Sequence, residues 1–240
     1  MQIALAASHT GALETVNVVE TFQSPNAVSE IYEILRNRIA LLEYSPGTKL
    51  SENTLAAEFG ISRTPLRKVL HRLEFEHLLV RSQGSYTTVT EVDAKTLSQI
   101  YEVRMVLAEN LYRFIDLPIA ACTIETLQSL AEEAKQLRHK IDIHLLGRIH
   151  RDVEKALSGA ISNVRAREVT ENLYFEIGRI WLSCVPKLDW GEEVELLSSD
   201  VRELIYALQR GDLRGFGFRR RNQAAMTLGR ICKVISPGEA

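Results

Sequence analysis

The stretch that most constrains the fold of this 240-residue chain runs from Ser51 to Leu73. It reads as two short helices joined by a tight turn. Ser51 is placed to cap the first helix, and Glu52 suits the positive end of its dipole. Leu55, Ala56 and Phe59 share one face, and Gly60 sits where a helix closes through a left-handed residue. Ser62 is placed to cap a second helix with Pro65 in its first turn, where the missing N–H costs nothing. Leu66, Val69, Leu70 and Leu73 form the buried stripe of that helix. Its other face carries Arg63, Arg67 and His71, one helical turn apart, with Thr64 and Lys68 beside them. No acidic residue falls between Glu58 and Glu74. This layout is that of a helix-turn-helix whose second helix enters the DNA major groove.

The flanks complete a domain. Ile31, Ile34, Leu35, Ile39 and Leu42 predict a helix over 28–43, with Arg36 and Arg38 outside its stripe or at its edge. Ser45-Pro46-Gly47 then turns the chain. Tyr86-Thr87-Thr88-Val89-Thr90 is β-prone and follows a Ser82-Gln83-Gly84-Ser85 turn, which predicts a two-stranded hairpin over 79–90. Three helices and a hairpin make a winged helix-turn-helix over 26–92, preceded by an extension over 1–25. That domain holds eight Lys/Arg and eight Asp/Glu, so its basic face is made by position rather than by excess charge.

From Asp93 onward helical periodicity takes over. Six helices are expected within 93–235, the first ended by Pro118 and the last, over 213–234, interrupted by Gly215 and Gly217. The expected fold class is therefore mainly α: a winged helix-turn-helix with a small β-hairpin wing, then an all-α bundle of six to seven helices.

Composition narrows the function. A net charge of −2 argues against non-specific coating of nucleic acid and leaves room for a local basic patch. Cys122, Cys184 and Cys232 lie far apart, with no metal or disulfide spacing, which points to a reducing cytoplasm. No apolar run approaches the roughly 20 residues that span a bilayer, so no membrane partner is expected.

The residues Pro46-Gly47-x-x-Leu50-x-Glu52-x-x-Leu55-Ala56-x-x-Phe59-Gly60-Ile61-Ser62-Arg63-Thr64-Pro65-Leu66-Arg67 resemble the signature of GntR-family transcription regulators. The helical half is similar to the FadR branch of that family, through Ile100-Tyr101-Glu102-Val103-Arg104 and Leu208-x-x-Gly211-Asp212. The resemblance implies a DNA-binding repressor that acts as a homodimer on a palindromic operator and answers to a small anionic effector held in the helical domain. The outer face of the second helix supports the first part independently. Arg63 and Arg67 face outward toward guanine edges or phosphates, and Ser62 and Thr64 are placed for phosphates at the helix N-terminus. Gly84 lets the wing approach the adjacent minor groove, and Arg38 and Glu52 lie near this surface.

The resemblance also implies a metal site of one Asp and three His in the bundle. Here only His150 remains, because Leu146, Val201 and Gln223 stand at the other three positions. No metal cofactor is therefore expected, and the effector contacts are expected from Arg104, His150, Arg219 and Gln223. Arg104 lies at a core-side angle, where it either meets an effector anion or forms a buried ion pair; His150 is either a pocket residue or a satisfied core histidine. Arg219-Arg220-Arg221 reads as a solvated turn. Two other readings differ in class. One is an architectural DNA-binding regulator that has lost its effector. The other is an all-helical metal-dependent hydrolase, against which the absence of a metal spacing or nucleophile motif argues.

Overall fold

The computed structural model describes residues 26–81 and 86–235. The expected extension over 1–25 and the wing tip with Gly84 lie outside the described residues. The chain opens with α1 (Ala27–Ala40), followed by β1 (Lys49–Ser51), α2 (Glu52–Glu58), α3 (Arg63–Phe75), β2 (Leu79–Arg81) and β3 (Tyr86–Val89). Ser51 caps α2, its hydroxyl accepting from the Thr54 amide at 3.4 Å. Gly60 closes that helix with φ +63°, a conformation that side chains resist. Ile31, Leu35, Ile39, Leu55, Phe59, Leu66 and Leu73 are buried in one core with Leu79 and Val89. This fixes α3 against the helices before it and the strands after it.

The sheet has one more strand than expected. β1 pairs with β3, giving the antiparallel order β1-β3-β2, with Leu50 opposite Thr87 and Val80 opposite Thr88. β1 has only three residues and runs straight into α2. It is too short to show alternation, and its partner lies far along the chain.

The helical half contains α4 (Ala94–Asn110), α5 (Ala121–Gln136), α6 (Ile143–Gly159), α7 (Val164–Cys184), α8 (Trp190–Gln209) and α9 (Leu213–Ile235). Asp93, Asp142, Asn163 and Asp189 cap α4, α6, α7 and α8, each side chain accepting an amide three residues on. Such caps satisfy N–H groups that have no intrahelical partner. α4 stops before Pro118, and a 3-10 turn over Leu111–Phe114 follows it. α9 is not interrupted at Gly215 and Gly217. A Cβ on Gly217 would lie 2.6 Å from the Glu109 carbonyl oxygen, so this glycine serves the close approach of α9 to α4.

The two halves are joined through α7. Phe175 of α7 packs on the winged domain's core, and Leu42 of the winged domain packs on the bundle's core. Arg179 of α7 is fully buried; it donates to the Thr90 carbonyl at 2.5 Å and to the Thr90 hydroxyl at 2.6 Å, just beyond β3. Burial lowers its pKa to about 10.

Candidate nucleic-acid interface and the buried polar cluster

α3 presents the expected outer face. Leu66, Val69, Leu70 and Leu73 are buried, while the side chains of Arg63, Arg67 and His71 are 47%, 51% and 67% exposed. Ser62 occupies the N-cap position but makes no side-chain cap bond. Its hydroxyl and the first amides of α3 are therefore available to a phosphate, at the positive end of the helix dipole. Thr64 is exposed beside them.

Glu52 has a different part from the one its position at a helix start suggests. It is buried, and one carboxylate oxygen accepts from Arg67 Nε at 2.9 Å and Arg63 Nη2 at 3.2 Å. Burial pushes its carboxyl up, but the hydrogen bonds from Arg67 and Arg63 outweigh this and hold it below the usual range. One anion from α2 thus fixes the direction of both guanidiniums of α3 while their remaining donors face outward. Arg38 is committed within the domain: it donates to Glu58 at 2.5 Å and to the Tyr44 hydroxyl at 2.9 Å.

Arg36 is the main departure on this side. Expected outside the stripe of α1 or at its edge, it is buried. Its Nε lies 3.1 Å from Glu76, its Nη2 donates to Asn172 of α7 at 2.7 Å, and its guanidinium sits 3.8 Å from the Phe175 ring centre. Glu76 also accepts from the Tyr32 hydroxyl at 2.6 Å and from Arg72 of α3 at 3.3 Å. This arrangement ties the C-terminal end of the outward-facing helix to the bundle.

Inside the bundle, Glu154 of α6 lies between two arginines. Its oxygens accept from Arg220 at 2.7 and 2.8 Å, and Arg104 Nη2 lies 3.3 Å away. Burial alone would raise its carboxyl; the charges of Arg220 and Arg104 and the hydrogen bond from Arg220 overcome this and lower it to about 2. His150 lies between the rings of Tyr174 and Trp181, with centroids 5.5 and 4.5 Å away, and its Nδ1 is 3.1 Å from the Tyr174 hydroxyl. Burial lowers its pKa to about 4, so the ring is neutral. Gln223 joins the cluster by accepting from Arg220 at 3.1 Å.

Of the expected effector residues, the structure brings Arg104, His150 and Gln223 together. Arg219 does not join them: it is 38% exposed and lies near Glu203 and Asp212. Arg220, read as part of a solvated turn, takes the inward place because it follows Phe216 and precedes Ala224 by one turn each on the buried face of α9. Glu154, an acidic residue in the stripe between Val153 and Leu157, was the overlooked partner. The two spaces lined by His150 and Gln223, one of them also by Arg104, measure only about 20 Å³ each. Leu146 and Val201 are buried among apolar side chains, and among the described residues no three His, Cys, Asp or Glu side chains lie together as metal ligands.

Residues 27–89 match the model of the bacterial regulatory proteins of the gntR family. The gluconate operon transcriptional repressor of Bacillus subtilis is 39% identical over 85 residues, which is 35% of this chain and 34% of that repressor. The HTH-type transcriptional regulator McbR of Escherichia coli is 25% identical over 144 residues, 60% of this chain and 65% of McbR. Matches to the first relatives, among them the Nta operon transcriptional regulator of Aminobacter aminovorans, span between 34% and 39% of those proteins' lengths. The likeness of fold extends further. Solved McbR/YncC from E. coli superposes with a TM-score of 0.73 at 21% identity, covering 88% of this chain and 97% of that one. A putative GntR regulator from Rhodococcus gives a TM-score of 0.68 at 18% identity, covering 85% and 96%. These relatives are transcriptional regulators, not enzymes, and no described helix is long and apolar enough to cross a membrane. The gntR-family match thus falls on the winged helix-turn-helix over residues 27–89, and the described chain as a whole shares the fold of solved McbR/YncC and of the Rhodococcus protein.

Proposed function

We propose that the protein is a sequence-specific transcriptional repressor that binds a palindromic operator as a homodimer and responds to a small carboxylate-bearing effector. The observation that carries the DNA reading is the face of α3, where buried Glu52 holds Arg63 and Arg67 in fixed directions on an otherwise exposed helix surface. Arg63, Thr64 and Arg67 then read base edges or phosphates, and Ser62 with the helix N-terminus takes a phosphate. A two-fold dimer places two such faces on two half-sites. Apolar side chains exposed on neighbouring helices support the dimer: Val103 and Val106 on α4, and Phe218 and Met226 on α9.

The test is fluorescence anisotropy with operator DNA selected from random sequence. Arg67→Ala should weaken specific binding by roughly 1–3 kcal/mol if it reads a base, while a phosphate role gives a uniform loss and a salt slope smaller by about one. Unchanged operator affinity for both Arg63→Ala and Arg67→Ala would refute the assignment of this face. The architectural alternative, without an effector, predicts no metabolite response in the same assay.

A further inference from the structure

We propose that a cavity between the winged domain and the bundle binds a small zwitterion of the amino-acid class, and that the bound ligand sets the placement of the winged domain. The cavity measures about 210 Å³ and lies among α1, α6 and α7. The spaces around the buried polar cluster of the bundle, lined by His150, Glu154 or Arg220, measure about 20, 20 and 10 Å³. A void of about 10–15 Å³ holds one water and one of about 150 Å³ admits benzene, so size separates the two places. The spaces around the polar cluster take a water or two. The interdomain cavity takes a metabolite of about eight to ten non-hydrogen atoms.

The lining selects the chemistry. Four carboxylates face three cationic groups there. Several are already matched. Arg151 is 2.8 Å from Asp152, Arg36 is held by Glu76, and Glu154 by Arg104 and Arg220. Glu33 of α1 and Lys155 of α6 have no ion-pair partner among the described residues, and Glu171 of α7 accepts only the Ser158 hydroxyl, at 2.5 Å. A ligand with an ammonium group for Glu33 and Glu171 and a carboxylate for Lys155 complements both sets. A plain acid or a plain amine leaves one set facing it unmatched, which a partly desolvated site penalises. Phe175 and Tyr174 provide the apolar wall for a side chain.

The position makes the site regulatory, and that half of the proposal rests on the DNA-binding reading above. Two polar bridges already cross the cavity's border: Arg36 to Asn172 at 2.7 Å and Arg151 to Asn37 at 3.3 Å. A zwitterion joining Glu33 to Lys155 adds a third, beside the Arg36–Glu76 link to the end of α3. Ligand and operator then act on one domain placement, and each alters the other's affinity by the same factor.

The test uses the full chain. Each common L-amino acid is screened at millimolar concentration by thermal shift, and hits are titrated by calorimetry. The matching amino-acid amides and N-acetyl derivatives serve as controls. At least one amino acid should stabilise the protein, with both controls weaker by about tenfold or more, the loss of one charged contact. Glu33→Gln and Lys155→Gln alter exposed side chains, so the ligand-free melting temperature should hold, while each weakens binding by about tenfold. The ligand should change operator affinity by about fivefold or more. No stabilising amino acid, equal binding of the amides, or a bound amino acid indifferent to both variants would each overturn the site. Operator binding by the ligand-free chain is measured separately. Its absence refutes the DNA reading, while the calorimetry still decides the site.

Discussion

Glu154→Gln is the substitution that tests the interior of the bundle most directly. In the folded protein this carboxylate is buried between Arg220, hydrogen-bonded at 2.7 and 2.8 Å, and Arg104 at 3.3 Å. Its pKa falls from 4.5 to about 2. A tenfold change in proton affinity corresponds to about 1.4 kcal/mol, so the ionised carboxylate contributes on the order of 3 kcal/mol at neutral pH. The folded value lies below the unfolded one. The contribution is therefore complete above the unfolded pKa and is lost as pH falls through about 2. Glutamine keeps the shape and removes the charge, leaving two guanidiniums without their anion; the expected loss is about 3–5 kcal/mol. Urea unfolding followed by the fluorescence of buried Trp181 and half-buried Trp190 reads this at neutral pH and near pH 3. The variant should be less stable at neutral pH and should lose less stability on acidification. Arg104→Met, which leaves the Glu154–Arg220 pair intact, should cost less than half as much. Equal stability of Glu154→Gln and the parent at neutral pH, or an unchanged acid slope, would refute the account of this cluster.

Three further expectations follow from other contacts. Gly217→Ala places a Cβ 2.6 Å from the Glu109 carbonyl oxygen and should cost about 1–3 kcal/mol by forcing α9 from α4, seen as a lower melting temperature. Asp200 is raised to about 6, by burial and then by the charge of Glu203. Its folded pKa lies above the unfolded one, so it favours folding below the unfolded value and that gain is lost as pH rises through about 6. Asp200→Asn should therefore flatten the stability profile between about pH 4 and 6, measured by thermal melts across that window. Arg36→Ala removes contacts with Glu76, Asn172 and Phe175 together, and should make hydrogen exchange in α1 and the C-terminal turn of α3 faster than in α5 or α8. Uniform acceleration would show that Arg36 does not join the two halves.

The local rules carried much of the fold. Ser51 caps α2, Gly60 has the left-handed φ, and the stripe from Leu66 to Leu73 is buried where its spacing put it. Each of these depends on residues within a turn or two, and periodicity reports burial directly. The six-helix count of the second half also followed from periodicity. Long-range pairing was not legible in the same way. β1 needs β3, which lies across two helices, and three residues show no pattern alone.

The charged interior shows the same division more sharply. A sequence displays Arg36, Arg179 and Arg220 as polar breaks in or beside apolar stripes, and polarity alone assigns them to solvent. Their burial depends on partners remote in the chain: Glu76 and Asn172 for Arg36, Thr90 for Arg179, and Glu154 for Arg220. Buried charge is tolerable only where such partners arrive, and packing alone brings them. The sequence by itself determined the helix pair, its outward Arg63 and Arg67, and the two-part chain, because spacing encodes which face is covered. The tertiary structure decided that Glu52 orients those arginines, that Arg104 meets Glu154, and that a cavity of about 210 Å³ opens among α1, α6 and α7. Those outcomes depend on distances between elements, which no local spacing contains.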